Sequence, residues 1–179
     1  MNAVSSAESL ALAGEDSGSP AASGQYLTFT LADGVFAVGI ESVREIIQYG
    51  QMTLVPLMPP FVRGVINLRG AVVPVIDLQA RLGHAPAVVG PRTSIVIFES
   101  QRDGERLEMG LMVDAVSEVI EIAEACIEGP PPFGSAVPRD FMRGMAKVGG
   151  RFLVVLAPEA TLDIEDMAAA CDRAQRRAA

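Results

Sequence analysis

Phe61-Val62-Arg63-Gly64-Val65-Ile66-Asn67-Leu68-Arg69-Gly70-Ala71-Val72-Val73-Pro74-Val75-Ile76 has an altered second copy in the same chain. Eighty residues on stand Phe141-Met142-Arg143-Gly144-Met145 and, in register, Gly150-Arg151-Phe152-Leu153-Val154-Val155-Leu156. Composition alone reaches a Phe-x-Arg-Gly-apolar match with difficulty, so the recurrence reads as an internal repeat. Upstream of each copy is a second match. Gly39-Ile40-Glu41-Ser42-Val43-Arg44-Glu45-Ile46 aligns with Gly110-Leu111 and then Asp114-Ala115-Val116-Ser117-Glu118-Val119, two residues being inserted. The repeat units cover about 25–80 and 93–158. A unit of about sixty residues with roughly five short strands is the size of a small open barrel, and two such barrels side by side would share a hydrophobic seam.

Outward from the repeat, the pattern is one of short β segments. Residues 26–31 alternate around Thr28 and Thr30, Asp33-Gly34 makes a turn, and residues 35–40 return. Residues 41–49 place Val43, Ile46 and Ile47 at helical spacing, which predicts a short helix near 41–48. Further strands are expected at 52–55, 62–67, 71–77, 94–99, 107–113, 118–122, 144–148 and 151–156, separated by Gly- and Pro-containing turns. The last segment, 161–178, differs. Ile164, Met167, Ala168 and Cys171 fall on one helical face, with Asp163, Glu165 and Asp166 opening it and Arg173, Arg176 and Arg177 closing it. Those charges complement a helix dipole, so an amphipathic C-terminal helix is expected. Residues 1–24, rich in Ala, Ser and Gly, cannot offset the entropy of ordering and read as a disordered tail.

The chain has 179 residues, half of them hydrophobic, and a net charge of −8. Nucleic acid and anionic membranes both call for clustered cations. Here thirteen of the fourteen basic residues are arginines, and only Arg176 and Arg177 are adjacent. No apolar run reaches the roughly 18–20 residues of a spanning helix. No Lys or Arg precedes Arg44, so the charged region of a secretory signal is missing. Cys126 and Cys171 lack the spacing of a zinc or redox pair, and a reducing cytoplasm is the simplest compartment.

An enzymatic reading fails on inventory. His84 is the single histidine, no serine stands in a nucleophile elbow, and no phosphate loop or dinucleotide fingerprint occurs. Glu121, Glu124 and Glu128 fit no metal-loop spacing, and Asp77 and Asp114 read as turn or cap residues. No catalytic residue, metal site or cofactor is expected. What stands out is the turn Asn67-Leu68-Arg69-Gly70 between two core-like strands. An arginine held there needs a carboxylate, and Glu45 is the attractive partner; the plain alternative is a solvated turn arginine.

From Val65 to Leu78 the chain resembles the signature of CheW-type chemotaxis coupling proteins. Residues 29–46 resemble that family's opening, 110–119 its middle block, and 143–156 its closing strands. Two departures are Ala157-Pro158, where the family usually has an acidic residue, and the Pro-rich stretch 129–138. The resemblance, over about 25–165, implies a mainly β fold: two small five-stranded SH3-like barrels that pack together and exchange strands. It places a CheW-like domain over 25–160. It also implies a non-enzymatic adaptor between chemoreceptor cytoplasmic tips and the regulatory domain of a chemotaxis histidine kinase. Such a protein would be cytoplasmic, recruited to membrane-associated receptor arrays, and able to form rings with the kinase or with itself.

Carried over by position, the groove for the receptor's helical hairpin would involve Val43, Glu45, Ile46 and Gly64 from the first copy. From the second it would involve Ser94, Gly110, Val116 and Val119. Arg69, with Asn67 and Gly70 shaping its turn, would brace Glu45. For Val43, Ile46, Val116 and Val119 plain core packing is an equal reading. The kinase would use the barrel ends, with no residue assigned. The chain ends soon after its last helix, which leaves no room for a receiver or kinase domain. The same adaptor in a chemotaxis-like pathway controlling pili or another output is an alternative, and a small-barrel nucleic-acid binder a remote one.

Overall fold

The structure is a computed structural model that describes residues 22–132 and 137–178. Most of the expected tail and part of the Pro-rich stretch lie outside the described residues. Ser23 and Gly24, assigned above to the tail, instead open the first strand.

In the first copy, β1 (Ser23–Leu31) and β2 (Gly34–Gly39) form a hairpin. After a single 3₁₀ turn at Ile40–Ser42 come β3 (Val43–Gln48), β4 (Val62–Leu68), β5 (Ala71–Asp77) and the one-turn helix α1 (Leu78–Arg81). The second copy repeats this order. β6 (Ser94–Arg102), β7 (Glu105–Val113) and β8 (Ala115–Ala123) lead to the two-residue strand β9 (Ile127–Glu128). Then follow β10 (Met142–Val148), β11 (Arg151–Leu156) and α2 (Pro158–Thr161). The terminal α3 (Ile164–Ala178) carries Glu165 and Asp166 in its first turn and Arg176 and Arg177 in its last. Asp163 accepts the Asp166 amide at 2.9 Å and so caps it.

Two expectations are corrected. The helix near 41–48 is a strand, preceded only by the 3₁₀ turn. Val43, Ile46 and Ile47 are β-branched, their exposure alternates residue by residue with that of their neighbours, and β6 offers an edge to pair with. A helix of eight residues cannot sustain itself against those hydrogen bonds. The register slips between Val43 and Glu45, and such a bulge is why the apolar spacing imitated a helix. Residues 52–55 form no strand either. They contribute one bridge, Thr53 to Val65.

The sheets follow the orders β8-β1-β2-β11-β10-β9 and β3-β6-β7-β5-β4. Each takes the opening hairpin of one copy, β1–β2 or β6–β7, and its remaining strands from the other, so the copies exchange strands reciprocally. The six-stranded sheet exceeds five only by β9, whose counterpart is the Thr53 bridge. Pairing also corrects the alignment of the copies. Val155 lies beside Ala37 and Val75 beside Gly110, both in parallel, so Ala37, not Gly39, is the counterpart of Gly110. Val43 and Val116 then follow six residues later in each copy, and no insertion is needed. The second copy is longer in the β6–β7 hairpin, where Phe98 pairs with Met109 as Phe29 pairs with Phe36 in β1–β2, and again in the connection from β8 to β10.

Each sheet encloses its own core. Tyr26, Ala37, Ile122, Leu153 and Val155 fill the six-stranded one; Val73, Val75, Ile95, Ile97 and Met112 fill the other. A third and larger cluster draws on both copies, with Leu27, Phe29, Val38 and Phe61 meeting Val96, Phe98, Leu111 and Met142. This is the shared seam expected of two small barrels.

Candidate functional site

β3 and β8 are the strands that cross from one barrel to the other, and each ends as an edge of its new sheet. Crossing carries their apolar residues to the seam. Val43 and Val116 are half-buried against the shared cluster. Three residues further along each strand, Ile46 and Val119 are 44% and 48% exposed. Equivalent positions thus present an exposed β-branched side chain on each edge strand, which is how two walls of one apolar groove would be built.

Beside Ile46, the Glu45 carboxylate accepts from the Arg69 guanidinium. Arg69 reaches it from the β4–β5 hairpin, whose tip is the two-residue turn Arg69-Gly70 with φ of +52° and +85°. Both residues occupy the left-handed region that suits the twist of a tight hairpin. Asn67 holds the turn by accepting the Gly70 amide at 2.9 Å. The brace expected between Arg69 and Glu45 is therefore present, tying a hairpin at one edge of the five-stranded sheet to the strand at its other edge. The neighbouring Arg44 donates to Glu99 and lies 2.9 Å from Glu108. The hydrogen bond to Glu99, and then the charge of Glu108, hold its pKa above the usual value.

The remaining positions divide. Ser94 is half-buried at the start of β6 opposite Gln48, and its hydroxyl donates to the Arg92 carbonyl. Gly64 and Gly110 are buried and present no surface. A Cβ on Gly64 would meet the Thr53 carbonyl oxygen at 2.5 Å, and one on Gly110 would meet Ile95 at 2.7 Å. These glycines allow close approach of backbone and of core side chains.

Sequence reasoning missed Arg81. Its side chain is only 7% exposed, yet it carries a charge. The guanidinium lies over the rings of Phe61 and Phe141, bonds the Thr161 carbonyl at 2.9 Å and pairs with Asp166 at 2.6 Å. The repeated phenylalanines were visible, but nothing local says that both face one arginine. Also unforeseen was an apolar cleft of about 640 Å³ between the β4–β5 hairpin and α3, lined by Val65, Val72, Met167 and Cys171. Among the described residues no helix is long and apolar enough to cross a membrane, and no three His, Cys, Asp or Glu residues are grouped to hold a metal.

The CheW-like domain family matches residues 25–166. This chain belongs to the CheW-like family. It is 38% identical over 136 residues to the probable chemotaxis protein CheW of Rhizobium etli, covering 76% of this chain and 85% of that one. It is 32% identical over 157 residues to the chemotaxis protein CheW of Klebsiella aerogenes, covering 88% and 89%. Among solved structures it resembles the scaffolding protein TtCheW of Thermoanaerobacter tengcongensis, with a TM-score of 0.68 and 34% identity over 76% of this chain and 85% of that one. A CheW-like chain is what the signature around Arg69 implied.

Proposed function

We propose that this CheW-like chain is a non-enzymatic adaptor that couples chemoreceptor cytoplasmic tips to the regulatory domain of a chemotaxis histidine kinase. The observation that carries the reading is the pair of crossing strands: Val43 and Ile46 on one barrel edge, Val116 and Val119 on the other. An apolar groove between two barrels suits the side of a helical hairpin, where a few buried side chains supply affinity. Glu45, held by Arg69, adds a fixed polar feature to one wall. Ser94 lies on β6, the strand paired with that wall, while Gly64 and Gly110 allow close packing elsewhere in the same sheet. The kinase contacts belong to the barrel ends. The adaptor acts in the cytoplasm at membrane-associated receptor arrays, in rings formed with the kinase or with itself.

The test is a titration of the purified chain against a receptor-tip fragment and, separately, a kinase regulatory domain from the same genome. Binding to both is expected; a folded protein that binds neither overturns the reading. Arg69→Ala should weaken the receptor fragment selectively. Because the Arg69 side chain is 58% exposed, the loss should be near ~1 kcal/mol, or about fivefold. Unchanged receptor affinity in that variant would remove Arg69 from the site.

A further inference from the structure

Arg81 and Thr161 occupy the same place in the two copies. Asp77 donates its amide to the Phe61 carbonyl just before α1, and Ala157 donates to Phe141 just before α2; Arg81 and Thr161 end those two helices. Arg81 bonds the carbonyl of Thr161, its own counterpart. Contact between equivalent positions is possible only at the axis that relates the copies. The flanking rings agree. Phe61 and Phe141 are also counterparts, and their centroids lie 5.2 and 4.7 Å from the Arg81 guanidinium. One flat cation therefore fills the pseudo-twofold axis between the barrels. A second arginine has no room there, and the other copy has a buried threonine whose hydroxyl donates to the Ala157 carbonyl.

β3 and β8 are counterparts as well, each at the edge of its sheet, so the same axis relates them and any change in separation across it moves both; in the adaptor reading they are the walls of the groove. We propose that Arg81 is a positioning residue that sets the spacing of the two barrels and so the width of the groove between β3 and β8. Asp166, paired with Arg81 from α3, neutralises the buried cation and ties the terminal helix to the same point. The width claim rests on geometry alone; its consequence for receptor binding rests on the adaptor reading above.

The two are tested separately. Spin labels at Gln48→Cys and Ser117→Cys, exposed positions on β3 and β8, report wall separation in a Cys126→Ser, Cys171→Ser background. In Arg81→Met the distance distribution should shift or broaden. Receptor-fragment affinity should fall by about fivefold to tenfold, while kinase-domain affinity stays within about twofold, because the barrel ends are untouched. An unchanged distance distribution in folded Arg81→Met overturns the proposal. So does an equal loss of both affinities, which would mark the residue as a support of the fold alone. If Arg81→Met does not fold, Arg81→Lys carries the same readouts and criteria. It keeps the stem and charge but lacks the flat group that spans both rings. Failure of the wild-type chain to bind the receptor fragment overturns the adaptor reading and leaves the distance measurement to decide the role of Arg81.

Discussion

The first copy turns its last hairpin through Arg69-Gly70, the second through Gly149-Gly150, and all four residues have positive φ. The backbone requirement is the same, yet only the first copy places a side chain in a conformation that glycine adopts freely. That side chain reaches Glu45 on the edge strand β3. The copies differ again one strand earlier. Arg63 lies 3.7 Å from Asp77, a fully buried carboxylate that also accepts the amides of Ala80 at 3.2 Å and Ala87 at 2.8 Å. Its counterpart Arg143 donates to Glu124 and, at 2.7 Å, to the Tyr26 hydroxyl. Burial pushes that hydroxyl above its usual pKa, with Arg143 opposing the shift. At the place of Asp77 the second copy has Ala157, which leaves α2 without a side-chain cap. The barrel needs the glycines and the hairpin; the charged details are free to differ, and they differ where each copy meets something else.

The strongest test of that comparison falls on what the copies share. A Cβ at Gly144 would meet the Glu128 carbonyl oxygen at 2.1 Å, and one at Gly64 the Thr53 oxygen at 2.5 Å. Both obstacles are backbone. Gly144→Ala and Gly64→Ala should each destabilise by about 2–3 kcal/mol in denaturant unfolding, with Gly144 the worse. Equal tolerance of both would mean that the edge segments are not held where they lie. Next come the caps, where the copies diverge. Asp77→Ala should cost about 1–3 kcal/mol, since it strands two amides. Ala157→Asp should stabilise by about 0.5–1 kcal/mol by capping α2. A loss in the second variant would show that the two helix starts are not interchangeable. The last comparison concerns the hairpin. Arg69→Gly should be more stable than Arg69→Ala by about 1 kcal/mol, because alanine keeps the left-handed strain and glycine does not. Both lose the brace, so receptor affinity should fall alike in the two. A divergence there would separate the backbone of the turn from its charge.

Much of the candidate site could be read locally. The Arg69 turn was legible because glycine and asparagine mark a tight connection and an arginine between core strands demands a partner. Val43, Ile46, Val116 and Val119 were legible through the matched blocks that carry them. Gly64 and Gly110 carried a family position without a surface, since the sequence does not show what approaches a glycine. The strand at β3 was misread because the bulge between Val43 and Glu45 shifts the period of its apolar residues.

The repeat, the alternation of short strands, the turns and the charge polarity of α3 are all legible in local stretches of the chain. All of these follow from neighbours within a few residues, where backbone preference and side-chain period act. That β3 and β8 change barrels, that Ala37 and not Gly39 answers to Gly110, and that Arg81 lies on the axis between the copies emerge only when the two halves pack. A half-buried strand carries the same alternation whichever edge it joins. The choice of edge is settled by how the two halves fill their shared core, and a single side chain at the axis can satisfy both halves only after they have met.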